Sequence, residues 1–426
     1  MKSDHSHWSF VRTLVLGSTL VAGQAHAAGF FLPYQGASAV GNSLAGSAAL
    51  GEDASTVYFN PAGMSRLETG QVSVAGHYVD PSFRYADTGS TGPLPGTTGG
   101  NGGSFAPASA LPALFAVMPV GNWRFGLGVS APFGSQTDYD AGWRGRFQAD
   151  LTEIRTINVN PSFSYRLNDR WSAGFGINYL TLDAKIERST LVPPPLVGAL
   201  QEGRAFLDGK DHAFGFNAGV LWEPASSTRV GVSYRSRVDL ELTGRQAVLD
   251  ASGGTVAPLG FDIKADLTLP ATTQVSVVHA LDQRWTLLGD VSFYQWSSVQ
   301  SLVVRNSATG AVSSTLDLKF RDTKRLSAAV NYRLCDNWLL RAGLAWDQSV
   351  TGSAVDRTAN QPDSDRTWLS LGARWDLGPR HRVDFAYAHV WLAPASIAHP
   401  VANAGTLRGN YDNSADILAA QYSFSW

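Results

Sequence analysis

Asp282-Gln283-Arg284-Trp285-Thr286-Leu287-Leu288-Gly289-Asp290-Val291-Ser292-Phe293 is a polar turn that leads directly into an alternating segment. Trp285, Leu287, Gly289, Val291 and Phe293 fall on one face, and Arg284, Thr286, Asp290 and Ser292 on the other. Period two with one apolar and one polar face is the signature of a half-buried strand. The unit recurs. Ile157, Val159, Phe163, Tyr165 and Leu167 oppose Asn158, Asn160, Ser162, Ser164 and Arg166. Leu326, Ala328, Val330, Tyr332 and Leu334 oppose Arg325, Ser327, Asn331 and Arg333. These runs exceed the roughly 5–6 residues of a soluble strand and reach the roughly 9–11 that cross a bilayer.

The polar turn repeats at Gly121-Asn122-Trp123, Asn168-Asp169-Arg170-Trp171, Ala225-Ser226-Ser227-Thr228-Arg229, Asp336-Asn337-Trp338 and Gly378-Pro379-Arg380. Trp123, Trp171, Trp222, Trp285, Trp338, Trp375 and Trp426 stand beside these turns or at the chain end. An indole has an apolar ring and an N–H that needs a wet partner, so a ring of Trp at one height marks a membrane interface. With both ends on the turn side, n strands need n/2 − 1 short turns, and six turns give fourteen strands. Strands are expected to begin near 70, 109, 123, 152, 170, 211, 228, 261, 284, 316, 337, 366, 381 and 412. Longer connections, among them Ala86–Ser104, Ser189–Gly209 and Thr351–Asp365, join the opposite ends. The last segment alternates to the final Trp426. The expected fold is all-β: a 14-stranded antiparallel transmembrane β-barrel.

Composition agrees. The 426 residues are 44% hydrophobic and only 16% charged, with 43 Gly and 11% aromatic residues. Mean hydropathy is −0.08, the average expected when lipid-facing and lumen-facing residues alternate. No apolar run reaches the roughly 18–20 residues of a membrane helix. A net charge of −2 gives no electrostatic footprint for nucleic acid. The lone Cys335 excludes an internal disulfide and a Cys-x-x-Cys metal site. Residues 1–27 read as an export signal: Lys2 and Arg12, the apolar core Thr13–Gly23, and an Ala25-His26-Ala27 cleavage site.

Residues 28–69 do not alternate. They are rich in Gly, Ala and Ser, yet carry Phe30, Phe31, Tyr34, Tyr58 and Phe59, which disordered tracts lack. A lumen of this width is too large for side chains to fill. The segment is therefore expected to be an N-terminal plug, or hatch, ahead of a barrel over 70–426.

Ala28-Gly29-Phe30, the run Asp53–Gly63 containing Asn60-Pro61-Ala62-Gly63, Gly126–Gly134 (GLGVSAPFG), Gly142–Phe147 (GWRGRF) and Asn158–Ser162 (NVNPS) resemble the FadL family over nearly the whole mature chain. That resemblance implies uptake of long-chain fatty acids or other hydrophobic molecules by a non-enzymatic, monomeric protein in the outer membrane of a Gram-negative bacterium, amid lipid and lipopolysaccharide. It implies a ligand pocket near the hatch at Phe30, Asn60, Pro61 and Ala62. It implies a lateral exit at a kinked third strand, with Gly126, Gly128, Pro132 and Phe133. It also implies an outer groove, for which the apolar Leu191–Leu200 stretch offers Leu191, Val192, Leu196 and Leu200. Monoaromatic hydrocarbons are the alternative substrate. A barrel-borne hydrolase and a general porin are further alternatives, but no Gly-x-Ser-x-Gly elbow is present and the histidines are scattered. No metal site and no cofactor are expected. For a fatty-acid carboxylate, lumen-side Arg229, Arg235, Arg325, Arg333, Arg341 and Arg374 are the candidates, with pairing to Asp290, Asp347, Asp376 or Asp384 as the competing role.

Overall fold

The computed structural model describes residues 29–426. The expected leader 1–27 and Ala28 lie outside the described residues. Fourteen antiparallel strands close into a barrel. They are β1 (Gln71–Asp87), β2 (Ser109–Val120), β3 (Trp123–Ser130 and Gly134–Asp138), β4 (Leu151–Arg166), β5 (Trp171–Val192), β6 (Gln201–Ala225) and β7 (Thr228–Arg235 and Val238–Leu249). There follow β8 (Phe261–Leu269 and Thr272–Ala280), β9 (Trp285–Tyr294 and Ser301–Asn306), β10 (Val312–Asp317 and Thr323–Cys335), β11 (Trp338–Asp347), β12 (Arg366–Asp376), β13 (His381–Leu392 and Ala395–Val401) and β14 (Gly405–Ser425). Closure runs from Gln71↔Ser425 to Asp87↔Gly409, so β1 and β14 leave no free edge. A closed sheet is what a bilayer demands, because no water there satisfies an open edge.

The alternating faces fall as the sequence requires. Leu127, Ile157, Phe163, Leu287, Phe293, Leu326 and Leu371 point outward and are exposed, whereas Asn158, Asn160, Ser162, Ser164, Arg325 and Asn331 are buried inside. The tryptophans beside the turns form the expected girdle. Trp171 stacks on Trp222 at 5.5 Å, Trp338 on Trp375 at 5.6 Å, and Trp285 meets Tyr332 at 4.5 Å.

One expected loop is absent. Residues 189–209 are mostly strand: β5 and β6 stay in register from Trp171↔Trp222 to Val192↔Gln201. Only Pro193 to Leu200 turn the chain, through the short helix α1 (Pro194–Val197). The three prolines end the ladder because they lack N–H groups.

Four neighbouring strands break at one level. Arg235↔Thr272 and Thr272↔Tyr294 mark the lower side of the breaks in β7, β8 and β9, and Tyr294↔Thr323 extends that level to β10. Across the barrel, β3 breaks at Ala131–Phe133.

Residues 29–69 carry three short helices, α2 (Ala37–Gly41), α3 (Ser47–Leu50) and α4 (Thr56–Phe59), then a 3-10 turn, Pro61–Arg66. The segment is almost wholly buried and touches inward-facing residues all round the wall. α2 packs on β12, β13 and β14, α3 on β7 and β8, and the 3-10 turn on β3 to β6.

Candidate functional site

The lower lumen is a polar lock. Asn60 caps the 3-10 turn, its Oδ1 accepting from Ala62 N at 3.0 Å. Its Nδ2 donates to Ala48 O at 2.7 Å and to Val220 O on β6 at 3.2 Å. The Asn-Pro-Ala-Gly run lies so close to the wall that a Cβ on Gly219 would collide with Asn60, and one on Gly174 with Ala62. On the far side, Arg341 of β11 reaches Glu52 at 2.7 Å and Asp384 of β13 at 2.7 Å. Arg374 of β12 also binds Glu52, and Arg382 Nη1 donates to Glu52 O at 2.7 Å. Burial pushes the Glu52 carboxyl pKa up, but Arg341, Arg374 and Arg382 outweigh it and hold it well below the usual carboxylate range. Removing one partner from such a buried network costs about 3–5 kcal/mol.

The upper lumen is apolar. Leu180, Leu182, Leu240, Leu267, Val304 and Phe320 converge on Phe30, Phe31, Phe133 and Trp296. Phe30 meets Trp296 edge-on at 4.9 Å, and Phe31 lies 5.4 Å from Phe133 and 5.2 Å from Tyr294. The chamber is tightly filled. A cavity beneath Phe31, walled by Tyr58, Phe59, Pro61 and Tyr234, measures about 40 Å³, enough for a water and too small for an alkyl chain.

Beside this chamber the N-terminal segment completes the barrel wall. Phe31 bridges Phe133 antiparallel. Leu32 N donates to Pro132 O at 2.7 Å, and Gly134 N donates to Phe30 O at 2.7 Å. From β4, Thr156 Oγ1 binds both N and O of Phe133. The β2–β3 ladder ends at Leu114↔Val129, so the upper piece of β3 pairs only with β4.

The interruption is narrower than the sequence suggested. Pro132 and Phe133 lie in it. Gly126 and Gly128 do not: both sit in unbroken pairing with β2 and β4. Their place is one of close approach. A Cβ on Gly126 would strike Met64, and one on Gly128 would press on Phe115 at 3.1 Å.

The four candidate groove residues do not share a surface. Val192 is buried with Val248 and Val256, Leu191 points the other way, and Leu196 and Leu200 are exposed at the tip.

The arginine candidates are occupied. Arg229 donates to Ala49 O, Arg235 to Tyr58 O and Arg325 to Ser43 O, so these three also hold the N-terminal segment. Arg333 lies at the turn end, beside Asp336 O. The expected pairs with Asp347 and Asp384 form, whereas Asp376 pairs with Arg382, outside the six candidates. Asp290 instead accepts from Ser276, Ser292 and Gln274. The residue the sequence reading missed is Arg188. It lies on the inward face of β5, two residues beyond Ile186, which packs on the chamber. Among the described residues it joins no ion pair. Strict alternation through Leu180, Leu182, Ala184 and Ile186 points to it, but the charged run around it reads as a solvated face.

A second concavity, about 1040 Å³, lies on the outward faces of β1, β2, β12, β13 and β14, around Gly76, Ala420, Phe385 and Tyr387. It covers unbroken ladders.

Residues 18–426 match the family of outer membrane protein transport proteins (OMPP1/FadL/TodX). The chain belongs to the FadL/TodX family. It is an outer-membrane transport protein of a Gram-negative cell. It is 31% identical to outer membrane protein P1 of Haemophilus influenzae over 412 residues, covering 88% of this chain and 89% of that one. It is 29% identical to the long-chain fatty acid transport protein of Escherichia coli K12 over 419 residues, covering 88% and 91%. Among solved structures it resembles a Pseudomonas aeruginosa FadL homologue, with TM-score 0.85, 25% identity, and 93% and 99% of the chains covered. The Ralstonia pickettii toluene transporter TbuX shares the fold, with TM-score 0.67, 18% identity, and 91% and 98% covered. This barrel thus holds an apolar chamber, a sealed wall break and a charged lock.

Proposed function

We propose that the protein carries long-chain fatty acids, or hydrophobic molecules like them, passively inward across the outer membrane. The observation that carries this reading is the seal: the main chain of residues 30–32 closes the β3 break while the side chains of Phe30 and Phe31 fill the adjoining chamber. Ligand and plug segment compete for the same apolar volume. A ligand in the chamber displaces Phe30 and Phe31, frees Pro132–Gly134 of their partners, and leaves sideways into lipid. Burying about 16 CH₂ groups yields on the order of 10 kcal/mol gross. Displacing two phenylalanines offsets much of that, which keeps release feasible. Leu196 and Leu200 at the outer tip offer the first apolar contact, and Arg188 binds the carboxylate as the ligand descends. Asn60, Pro61 and Ala62 act as the anchor of the hatch, residues 28–69.

Arg188, which joins no ion pair among the described residues, favours a carboxylate over an uncharged monoaromatic hydrocarbon. No reaction chemistry is required, and the protein acts as a monomer amid lipid and lipopolysaccharide. The test is uptake of labelled oleate and of labelled toluene into cells whose sole such protein is this chain. The expected result is oleate uptake that falls at least about tenfold in Arg188→Leu, the scale of about 1.4 kcal/mol of lost interaction. Toluene uptake unchanged by that variant, with no oleate uptake in the wild type, would transfer the reading to aromatic hydrocarbons.

A further inference from the structure

We propose a second lateral opening, between β6 and β7, at which a fatty acid dissolved in the outer leaflet binds and passes into the apolar chamber. The inference rests on the chamber being the ligand path.

The wall is split there. β6 and β7 pair from Arg204↔Leu249 to Lys210↔Thr243 and resume only at Asn217↔Arg235. Residues 211–216 of β6 have no partner residues on β7 in the ladder. β7 itself is interrupted at Ser236–Arg237, and β8 at Pro270–Ala271 in the same register. Pro270 cannot donate, so the ladder cannot close across it. One main-chain bond remains, from Ser236 N to Phe216 O at 2.8 Å, and side chains meet two further donors. Glu241 N donates to Asp211 Oδ2 at 2.7 Å, and Phe216 N donates to Ser236 Oγ at 2.9 Å. A bare strand edge does not survive in hydrocarbon, and non-ladder backbone persists where it lines a cavity.

A cavity is there. About 620 Å³ opens on the outer face, bounded by Phe214, Phe216, Tyr234, Arg237, Ala271 and Gln295. Tyr234 also borders the inner cavity beneath Phe31, so the two spaces meet at one strand. On the inner side Val238, Leu240 and Ala213 pack on the chamber cluster. The wall here is one backbone thick, with apolar side chains on both sides.

The height suits a single-chain amphiphile. Outward residues of β6 run from Trp222 in the girdle through Phe216 and Phe214 to His212 and Lys210. Phe214 is 69% exposed, and the next outward positions are polar. The cavity therefore lies at the outer-leaflet boundary, with aromatic rings for the chain below and the Arg237 guanidinium, shared with Asp239 at 3.3 Å, for the carboxylate. The concavity around Phe385 has comparable apolar walls but covers unbroken ladders, which makes it the internal control.

The test is photolabelling of the purified full chain in phosphatidylcholine vesicles with a diazirine-bearing palmitic acid, read by peptide mass spectrometry. Labelling is expected at His212–Phe216 and Ser236–Asp239, about tenfold above Phe385–Tyr387, and abolished by excess oleate. Phe214→Glu, checked for an intact barrel by heat-modifiable migration, is expected to remove that labelling. Equal labelling at Phe385, or labelling that oleate does not compete, overturns the proposal. Oleate-resistant labelling of the same residues by a diazirine phospholipid would also overturn it, because it identifies a resident lipid. Labelling of Phe30, Phe31 and Phe133 without the β6–β7 site sinks only this opening. Labelling of neither sinks the transport reading as well.

Discussion

At the β3 break the sealing atoms belong to the N-terminal segment, whereas between β6 and β7 they belong to the strands themselves. Phe30 O, Phe31 and Leu32 N supply what Pro132–Gly134 lack, and they come from a part of the chain that is not in the sheet. Asp211 and Ser236 supply what Glu241 N and Phe216 N lack, and both are wall residues. A seal carried by a separate segment can leave as a unit. A seal of side chains within the wall yields only locally. The first suits a switch tied to chamber filling, and the second a standing portal of low capacity.

The largest effect should come from undoing the first seal. Phe31→Ala removes a buried ring worth about 3–5 kcal/mol. The Gly134 amide should then lose its protection from hydrogen exchange, while the Ser236 amide keeps its own. Loss of protection at both amides would erase the distinction. Next comes the lock below. Glu52→Gln leaves Arg341 and Arg374 with Asp384 as their one remaining shared carboxylate, a cost of about 3–5 kcal/mol if the site stays dry. The expected sign is a rise in ion conductance in planar bilayers, with the barrel still resistant to detergent at room temperature. Unchanged conductance would separate the lock from the seal. A smaller change follows Ser236→Ala, which deprives Phe216 N of its acceptor and costs about 1 kcal/mol. Exchange should quicken at Phe216 and not at Gly134.

The barrel was legible because the bilayer writes two simple rules into sequence, alternation and an interfacial ring of Trp. Leu287 and Trp285 could hardly be read otherwise. The breaks were legible only in part. Pro132 announced one, yet Gly126 and Gly128 drew attention to intact wall, because glycine marks close approach as readily as a bend. The aligned breaks of β7 to β10 have a single clear mark, Pro270. Residues 189–192 and 201–209 read as loop because Pro193–Pro195 outweighed the alternation on either side. Arg188 was missed for a different reason. Whether an arginine is free depends on carboxylates far away in sequence and across the lumen, and only the assembled wall shows that Arg341 has Asp384 and that Arg188 has none among the described residues.

The two breaks also differ in what lies above them, and this gives the smallest and most specific prediction. The chain from Tyr139 to Asp150 connects β3 to β4 and flanks a cavity of about 340 Å³ against the outer ends of β5 and β6. Asp150 sits in that cavity. Burial lifts its carboxyl pKa to about 6, opposed by Arg204, the Ser189 hydroxyl and Arg146 and reinforced by Glu202. Its pKa is higher folded than unfolded, so the folded connection binds the proton more tightly. The resulting stabilisation is full below about pH 4 and is lost as pH rises through about 6. The connection should therefore hold tighter to β5 and β6 at pH 5 than at pH 7.5. Protease cleavage after Arg144 or Arg146 in whole cells reads this directly, using a protease active at both pH values. Asp150→Asn should make the two pH values alike. A pH dependence that survives Asp150→Asn would show that Asp150 does not carry it. Faster cleavage at pH 5 would reverse the sign and remove the connection as a pH-sensitive cover of the β3 side.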